Sequence, residues 1–434
     1  MALAARHGDD AGPAFSDALR VWATIGVTSF GGPAGQIAMM HRILVDEKKW
    51  LDEPTYLTAL NFCTLLPGPE AMQLATYAGW KLHGVKGGLA AGLLFVLPGA
   101  ALILVLSALY AQFGSVPLVG ALFTGIKAAV LAIVVEALLR ISKRSLKDRV
   151  EWTIAAASFA AIFLLKLPFP LIVLIAGAMG YTRGFGQPID ATAASPASVP
   201  IAGTFGTIAL WLAIWIAPLL SVAAVFGADH TLAKLGLFFS KLAVVTFGGA
   251  YAVLAYMAQD AVHIYGWLKP GEMLDGLGLA ETTPGPLILV TEFVGFLAGY
   301  RSGDGQSIAL GILGALVALW ATFAPSFLYI FAGAPYVERL KSAPRLKSAL
   351  SAITAAVVGV ILNLSVWFAL HVIFKTVNDT AFGPMNVPLP DVMSIDWIAA
   401  ALAALAALLL FRFHAGIIAT LSMCGVLGAV MGMV

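Results

Sequence analysis

Two short motifs each occur twice, and both interrupt apolar sequence with residues that helices avoid. They are Phe30-Gly31-Gly32 with Phe247-Gly248-Gly249, and Pro67-Gly68-Pro69 with Pro284-Gly285-Pro286. A helix that restarts after such a break exposes unpaired N–H groups and the positive end of its dipole, so the chemistry on offer is anion binding. Glu70 follows the first Pro-Gly-Pro directly, and Glu281 stands three residues before the second. Either carboxyl could carry a proton coupled to anion movement, and Glu70 could equally cap the helix that starts there. Thr282 and Thr283 add hydroxyls beside the second break, and Gln36 follows the first Phe-Gly-Gly. Asn61, Gln73, Tyr251 and Asn363 are further polar groups in apolar surroundings that either donate to an oxyanion or bridge helices. Lys127, near the middle of the apolar stretch 117–139, offers the positive charge that a buried dianion needs. Lys241 and Arg20 are expected to reach the membrane surface, and His83, between Lys81 and Lys86, to lie in a solvated loop.

These groups must be held by membrane helices. Of the 434 residues 60% are hydrophobic and 11% charged, and the mean hydropathy of +0.92 places the chain outside the soluble globular range. Runs at 88–111, 117–139, 203–226, 305–334 and 344–366 are long enough to cross a hydrocarbon core, which takes about 20 residues. They are continuous and rich in Ala, Leu, Val and Gly, so helices are expected and barrel strands are not. The fold class is therefore an all-α polytopic membrane protein, with the lipid bilayer as its surroundings. Residues 1–13 read as a retained polar tail without a cleavable signal segment. Cys63 and Cys424 fall in or beside apolar segments and read as small buried hydrophobes. A net charge of +2, with no basic stripe interleaved with aromatics, gives no nucleic-acid footprint. There is no phosphate-binding Gly-Lys loop, no His-Glu-x-x-His metal motif and no credible nucleophile and base pair, so neither an enzyme nor a cofactor or metal site is expected.

The motifs belong to a duplication. Phe30/Phe247, Trp50/Trp267 and Pro67/Pro284 are each 217 positions apart, while Pro98/Pro325 and "IKAAV" at 126–130 with "ITAAV" at 353–357 are 227 apart, which implies a ten-residue insertion. The repeat partner of Lys127 is Thr354. Charge then sets the orientation of the halves, because short cytoplasmic loops carry the excess of Lys and Arg. Helix 117–139 is followed by Arg140, Lys143, Arg144, Lys147 and Arg149, whereas its equivalent 344–366 is preceded by Arg339, Lys341, Arg345 and Lys347. Equivalent helices thus point opposite ways, and the extra apolar segment 203–226 can supply the odd crossing that inversion requires. The expected division is a first half at 14–182, a linker with an extra transmembrane helix at 183–229, and a second, inverted half at 230–434.

The segments 14–45 and 54–82, split at residues 31–33 and 67–69, have limbs too short for a comfortable crossing and read as re-entrant hairpins. This places Arg42, Lys48, Lys49, Lys81 and Lys86, with the N-terminus, on the cytoplasmic side. Inverted repeats bring such breaks together near the bilayer midplane, where irregular backbone survives only if it lines a cavity or is buried in protein.

The stretches "FGGPAGQIA", "WLDEPTYLTALNFCTLLPGPEAMQLATYAGW", "GGLAAGLLFVLPG", "FGGAYAVLAYMAQDAV" and "GLAETTPGPLILVTEFVGF" resemble the two-domain chromate ion transporter family. The resemblance covers almost the whole chain and is weakest in the tail, the linker and residues 376–434. It implies export of chromate across the bacterial inner membrane and, as short relatives consist of one half and work in pairs, an architecture of two fused halves. Sulfate or another oxyanion is the nearest alternative substrate. Surface Ala and Gly faces serve packing within or between subunits equally well, which leaves a homodimer open.

Overall fold

Where the apolar runs are long, helices span; where Gly and Pro interrupt them, helices stop short. The computed structural model describes residues 12–30, 32–184, 201–247, 250–303, 305–337, 344–383 and 385–432. The first half opens with α1 (Phe15–Thr28) and α2 (Gly32–His41), the latter extended by a π-turn at Arg42–Glu47. α3 (Glu53–Cys63) enters behind an Asp52 N-cap whose carboxylate accepts the Thr55 N–H, and α4 (Glu70–Phe113) follows the Pro-Gly-Pro break. α4 leaves helical geometry at His83 and Gly84, and its limbs 70–82 and 85–113 fold back on each other, touching at Gly79 and Gly87. The 14 residues of α1 and 11 of α3 reach only about 21 and 17 Å at 1.5 Å per residue, short of the roughly 30 Å core. Neither is long enough to cross alone. Limb 85–113, α5 (Pro117–Ser145), α6 (Arg149–Leu165) and α7 (Phe169–Arg183) complete this half.

α8 (Ile201–Phe226) stands between the halves, largely unburied, with exposed apolar side chains such as Phe205, Leu220 and Val225 on more than one side, suited to lipid. The second half repeats the pattern: α9 (Thr231–Val245), α10 (Ala250–Gln259) with a π-turn at Asp260–Ile264, α11 (Pro270–Thr282), a short 3-10 turn at Leu287–Leu289 and α12 (Val290–Tyr300). α13 (Ile308–Gly333) and α14 (Pro344–Ile373) then span. The duplication extends to single hydrogen bonds. The Trp50 N–H donates to the Leu44 carbonyl and the Trp267 N–H to the Ala261 carbonyl, each at 2.8 Å, and both pairs are related by the 217-residue offset. The insertion falls between α12 and α13, where the first half has only the sharp turn at His83 and Gly84.

One element was not expected. After α14 an antiparallel hairpin of β1 (Val377–Phe382) and β2 (Met385–Pro390) forms, in register from Val377 opposite Pro390 to Phe382 opposite Met385. α15 (Trp397–Ala407) and α16 (Ile417–Met431) close the chain and pack on α5. Cys63 and Cys424 are buried and free, in agreement with their reading as apolar packing. At α6, the Asp148 carboxylate accepts the Glu151 N–H and then pairs with Arg183, which together hold it below the usual carboxylate range.

Candidate functional site

Three of the four breaks are built from backbone that only glycine adopts freely. Gly68 and Gly285 sit at φ +105 and +96, and helices restart directly after Pro69 and Pro286. Gly32, at φ +72, begins α2, while Gly31, Gly248 and Gly249 lie outside the described residues. The breaks then interlock crosswise. The Gly68 N–H donates to the Thr246 carbonyl at 3.0 Å, and the Gly285 N–H donates to the Ser29 carbonyl at 2.8 Å. Thr246 minus Ser29 and Gly285 minus Gly68 both equal 217, so each Pro-Gly-Pro turn is tied to the Phe-Gly-Gly break of the opposite half by the same bond.

Close packing holds this crossing. A Cβ on Gly99 would stand 2.1 Å from the Pro284 carbonyl oxygen, so only glycine lets limb 85–113 reach the second break. The repeat partner, Ser326, instead presents its hydroxyl toward Gly68. Gly99→Ala is therefore expected to destabilise the protein by about 1–3 kcal/mol through overpacking against rigid backbone, and Ser326→Ala by less than about 1 kcal/mol. Thermal unfolding of the two variants in detergent checks this, and equal midpoints would show that the crossing tolerates displacement.

Several predicted residues are occupied by this bracing. The Gln36 amide donates to the carbonyls of Gly285 (2.6 Å) and Ser29 (3.2 Å), and Gln73 donates to the Pro67 carbonyl (2.7 Å). Thr282 and Thr283 turn their hydroxyls back onto Leu279 and Ala280. The amides of Gly68 and Gly285 are consumed as well, so the donors remaining at the first Pro-Gly-Pro are those of the opening turn of α4. Ser29, fully buried, has a hydroxyl without a hydrogen-bond partner among the described residues, as has the Gln36 Oε1. Sequence reasoning passed over Ser29, although Ser29 and Thr246 precede the two Phe-Gly-Gly motifs in the same register.

A cavity of about 460 Å³ opens above the crossing. It is lined by Pro33 and Ala34 beyond the first Phe-Gly-Gly, by Glu70 beyond the first Pro-Gly-Pro, and by Ala250 and Tyr251 beyond the second Phe-Gly-Gly. Its outer wall carries Arg140, Arg144, Lys147 and Lys347 against the carboxyls of Glu70 and Glu151. Ala137, Arg140, Ile141 and Arg144 recur at helical spacing, so the C-terminal turns of α5 present one continuous basic stripe to the cavity. Arg140 pairs with Glu136, and Glu151 accepts the Lys147 N–H (2.6 Å) and the Ser351 hydroxyl (2.6 Å), whereas Arg144 makes no ion pair among the described residues. The C-terminal end of α5 and the N-terminal end of its repeat partner α14 thus meet in the same cavity, which they can do only if the equivalent helices run in opposite directions.

Tyr251 links this cavity to the interior by donating its hydroxyl to the buried Glu281 at 2.9 Å. Lys127 lies elsewhere. Its ammonium is 3.4 Å from the Asp275 carboxylate, which also accepts the Tyr110 hydroxyl at 2.7 Å. Asp275 was not singled out from the sequence, although a carboxyl six residues before Glu281 on a short apolar limb was the available signal. Lys241 stands over the Tyr256 ring, and the His83 ring meets the Pro13 carbonyl at the α4 turn.

Broken helices from two oppositely directed halves, locked crosswise beneath a basic cavity, define a multi-pass membrane protein of the inverted-repeat carrier class. The family model described as chromate transporter matches residues 16–181 and 233–431, and the chain belongs to that family. It is similar to the chromate transport protein of Pseudomonas aeruginosa, 35% identical over 77% of this chain and 76% of the relative. It is also similar to the chromate transport protein of Cupriavidus metallidurans, 29% identical over 78% of each, and to a probable chromate transport protein of Synechococcus elongatus, 28% identical over 78% and 80%. No solved structure matches the chain.

Proposed function

We propose that this protein exports chromate from the cytoplasm across the bacterial inner membrane and so confers chromate resistance, with the basic cavity as the cytoplasmic entry. The observation that carries the reading is that one cavity joins four basic side chains to residues flanking breaks of both halves. A tetrahedral dianion entering there meets Arg144 and Arg140, then the opening amides of α4 and the Ser29 hydroxyl at the crossing. The halves are 14–182 and 230–434, joined by 183–229, with the N-terminus in the cytoplasm on the side of the basic cavity.

Gly31, Gly32, Pro67, Gly68 and Pro69 with Gly248, Gly249, Pro284, Gly285 and Pro286 shape the passage in this reading. Gln36, Thr282 and Thr283 brace it. Glu70, on the cavity wall, and Glu281, behind Tyr251, are the groups available to carry a proton against the anion. Lys127 serves the outward part of the route and is held by Asp275 until the anion arrives. An inside-negative potential of 100 mV favours outward movement of a dianion by about 4.6 kcal/mol, or about 2.3 kcal/mol per charge, so net export needs no nucleotide.

Uptake of labelled chromate into inverted membrane vesicles tests the reading. Expected is saturable uptake that falls when the potential is collapsed, with excess sulfate competing weakly. Uptake no faster than in vesicles lacking the protein would reject it, and equal use of sulfate would replace chromate by oxyanions in general. Collapse of the pH gradient alone separates proton coupling through Glu70 and Glu281 from flow driven by the potential.

A further inference from the structure

A second cavity, of about 390 Å³, lies along the same two helices but at their other ends. Ala250 and Tyr251 of α10 line the first cavity, while Gln259 of α10 and His263 of the following π-turn line the second. Leu350, Ser351 and Thr354 of α14 line the first, while Asn363, Leu364 and Trp367 line the second. Thr354 and Asn363 are nine residues apart, so about 14 Å of α14 separates the two spaces.

The duplication relates the cavities. Leu364 and Trp367 are the repeat partners of Ala137 and Arg140, since 364 minus 137 and 367 minus 140 both equal 227, and those partners line the first cavity. The wall that α5 gives to one side of the membrane is thus the wall that α14 gives to the other. The repeat also substitutes its charges: Trp367 stands in place of Arg140, and Asn363 in place of Glu136. Positive charge comes from one new direction instead. Lys166, which caps α6 in left-handed backbone (φ 51, ψ 32), lines this cavity and makes no ion pair among the described residues. His263 lines it as well, its ring edge against Trp367. The β-hairpin that interrupts the repeat closes one side with Asn386 and Pro388 and brings in one carboxylate, Asp379.

We propose that this second cavity is an outward-facing release site for a tetrahedral oxyanion dianion, held by Lys166, His263 and the Asn363 amide and weakened by Asp379; it rests on the transport reading above. A site that binds less tightly than the entry site favours release. Here a single ammonium and a neutral amide replace the arginine stripe, and a carboxylate shares the space with the passenger.

The test compares the two faces of the membrane. Chromate exchange is measured in right-side-out vesicles, where external chromate meets the second cavity, and in inverted vesicles, where it meets the first. Lys166→Gln is expected to raise the half-saturating concentration about ten-fold at the outer face and leave it unchanged at the cytoplasmic face. Lys166→Arg should restore it, and Asp379→Asn should lower it about three-fold, again at the outer face alone. Equal amounts of each variant in the membrane, measured by immunoblot, exclude a folding defect. Indifference of the outer face to both Lys166→Gln and Asp379→Asn, or equal shifts at the two faces, would overturn the site while the transport reading stands. Absence of exchange by the unsubstituted protein in both orientations would remove the transport reading and the release site together.

Discussion

Replacing Arg140 and Arg144 together by Gln is expected to lower chromate uptake into inverted vesicles by about a hundred-fold at concentrations below saturation, while the protein remains in the membrane. A charge-assisted hydrogen bond contributes about 1.5–3 kcal/mol, so two of them set an upper bound of about 6 kcal/mol. The Arg140 side chain is 53% exposed, however, and water and salt screen charges placed so near an opening. About half the bound survives this discount, which corresponds to the hundred-fold effect at 1.36 kcal/mol per decade. Arg140 also holds Glu136, and its loss leaves that carboxylate unpaired beside the entry, where it repels a dianion. Glu136→Gln is the informative companion because it frees Arg140 and is expected to lower the half-saturating concentration about three-fold. The effect of the double variant should shrink in high salt. Uptake within two-fold of the unsubstituted protein at low salt would show that the cavity is not the entry.

The helix breaks were legible in the sequence because their cause is local. Glycine at positive φ standing next to proline, which has no N–H, stops a helix locally, and a matched offset of 217 makes coincidence a poor account of the repeated motifs. Inversion was legible for a similar reason, since it needs only the ends at which Lys and Arg accumulate. What lay hidden depended on partners far away in the chain. Asp275 meets Lys127 across 148 positions, and Gly285 is bound to Ser29 across 256, contacts that no periodicity announces. Arg140 and Arg144 read as loop charges because the apolar run stops at 139. α5 continues to Ser145, which turns the same residues into a stripe facing the cavity. The hairpin was obscured by its brevity, although Gly383 and Pro384 between two six-residue runs are an ordinary turn signal.

Lys127→Met is expected to do two separate things, and a second substitution tells them apart. Asp275 is 6% exposed, and without the ammonium its carboxylate keeps only the Tyr110 hydroxyl. Breaking a buried pair from one side costs about 3–5 kcal/mol because the surviving charge is left desolvated, so the single variant should unfold at distinctly lower temperature in detergent. Asp275→Asn added to Lys127→Met removes the stranded charge and should recover most of that loss, since neutral replacement of both partners spares the desolvation cost. Transport should not recover with it. A dianion passing through low dielectric needs a cation that can exchange its carboxylate partner for the passing oxyanion, and Thr354 at the repeat position offers only a hydroxyl already bonded to Leu350. The double variant is therefore expected to be stable, inserted and at least ten-fold slower in chromate uptake at saturation. Full transport by a stable double variant would reduce Lys127 and Asp275 to a packing pair and leave the arginine stripe and the opening turn of α4 to carry the anion.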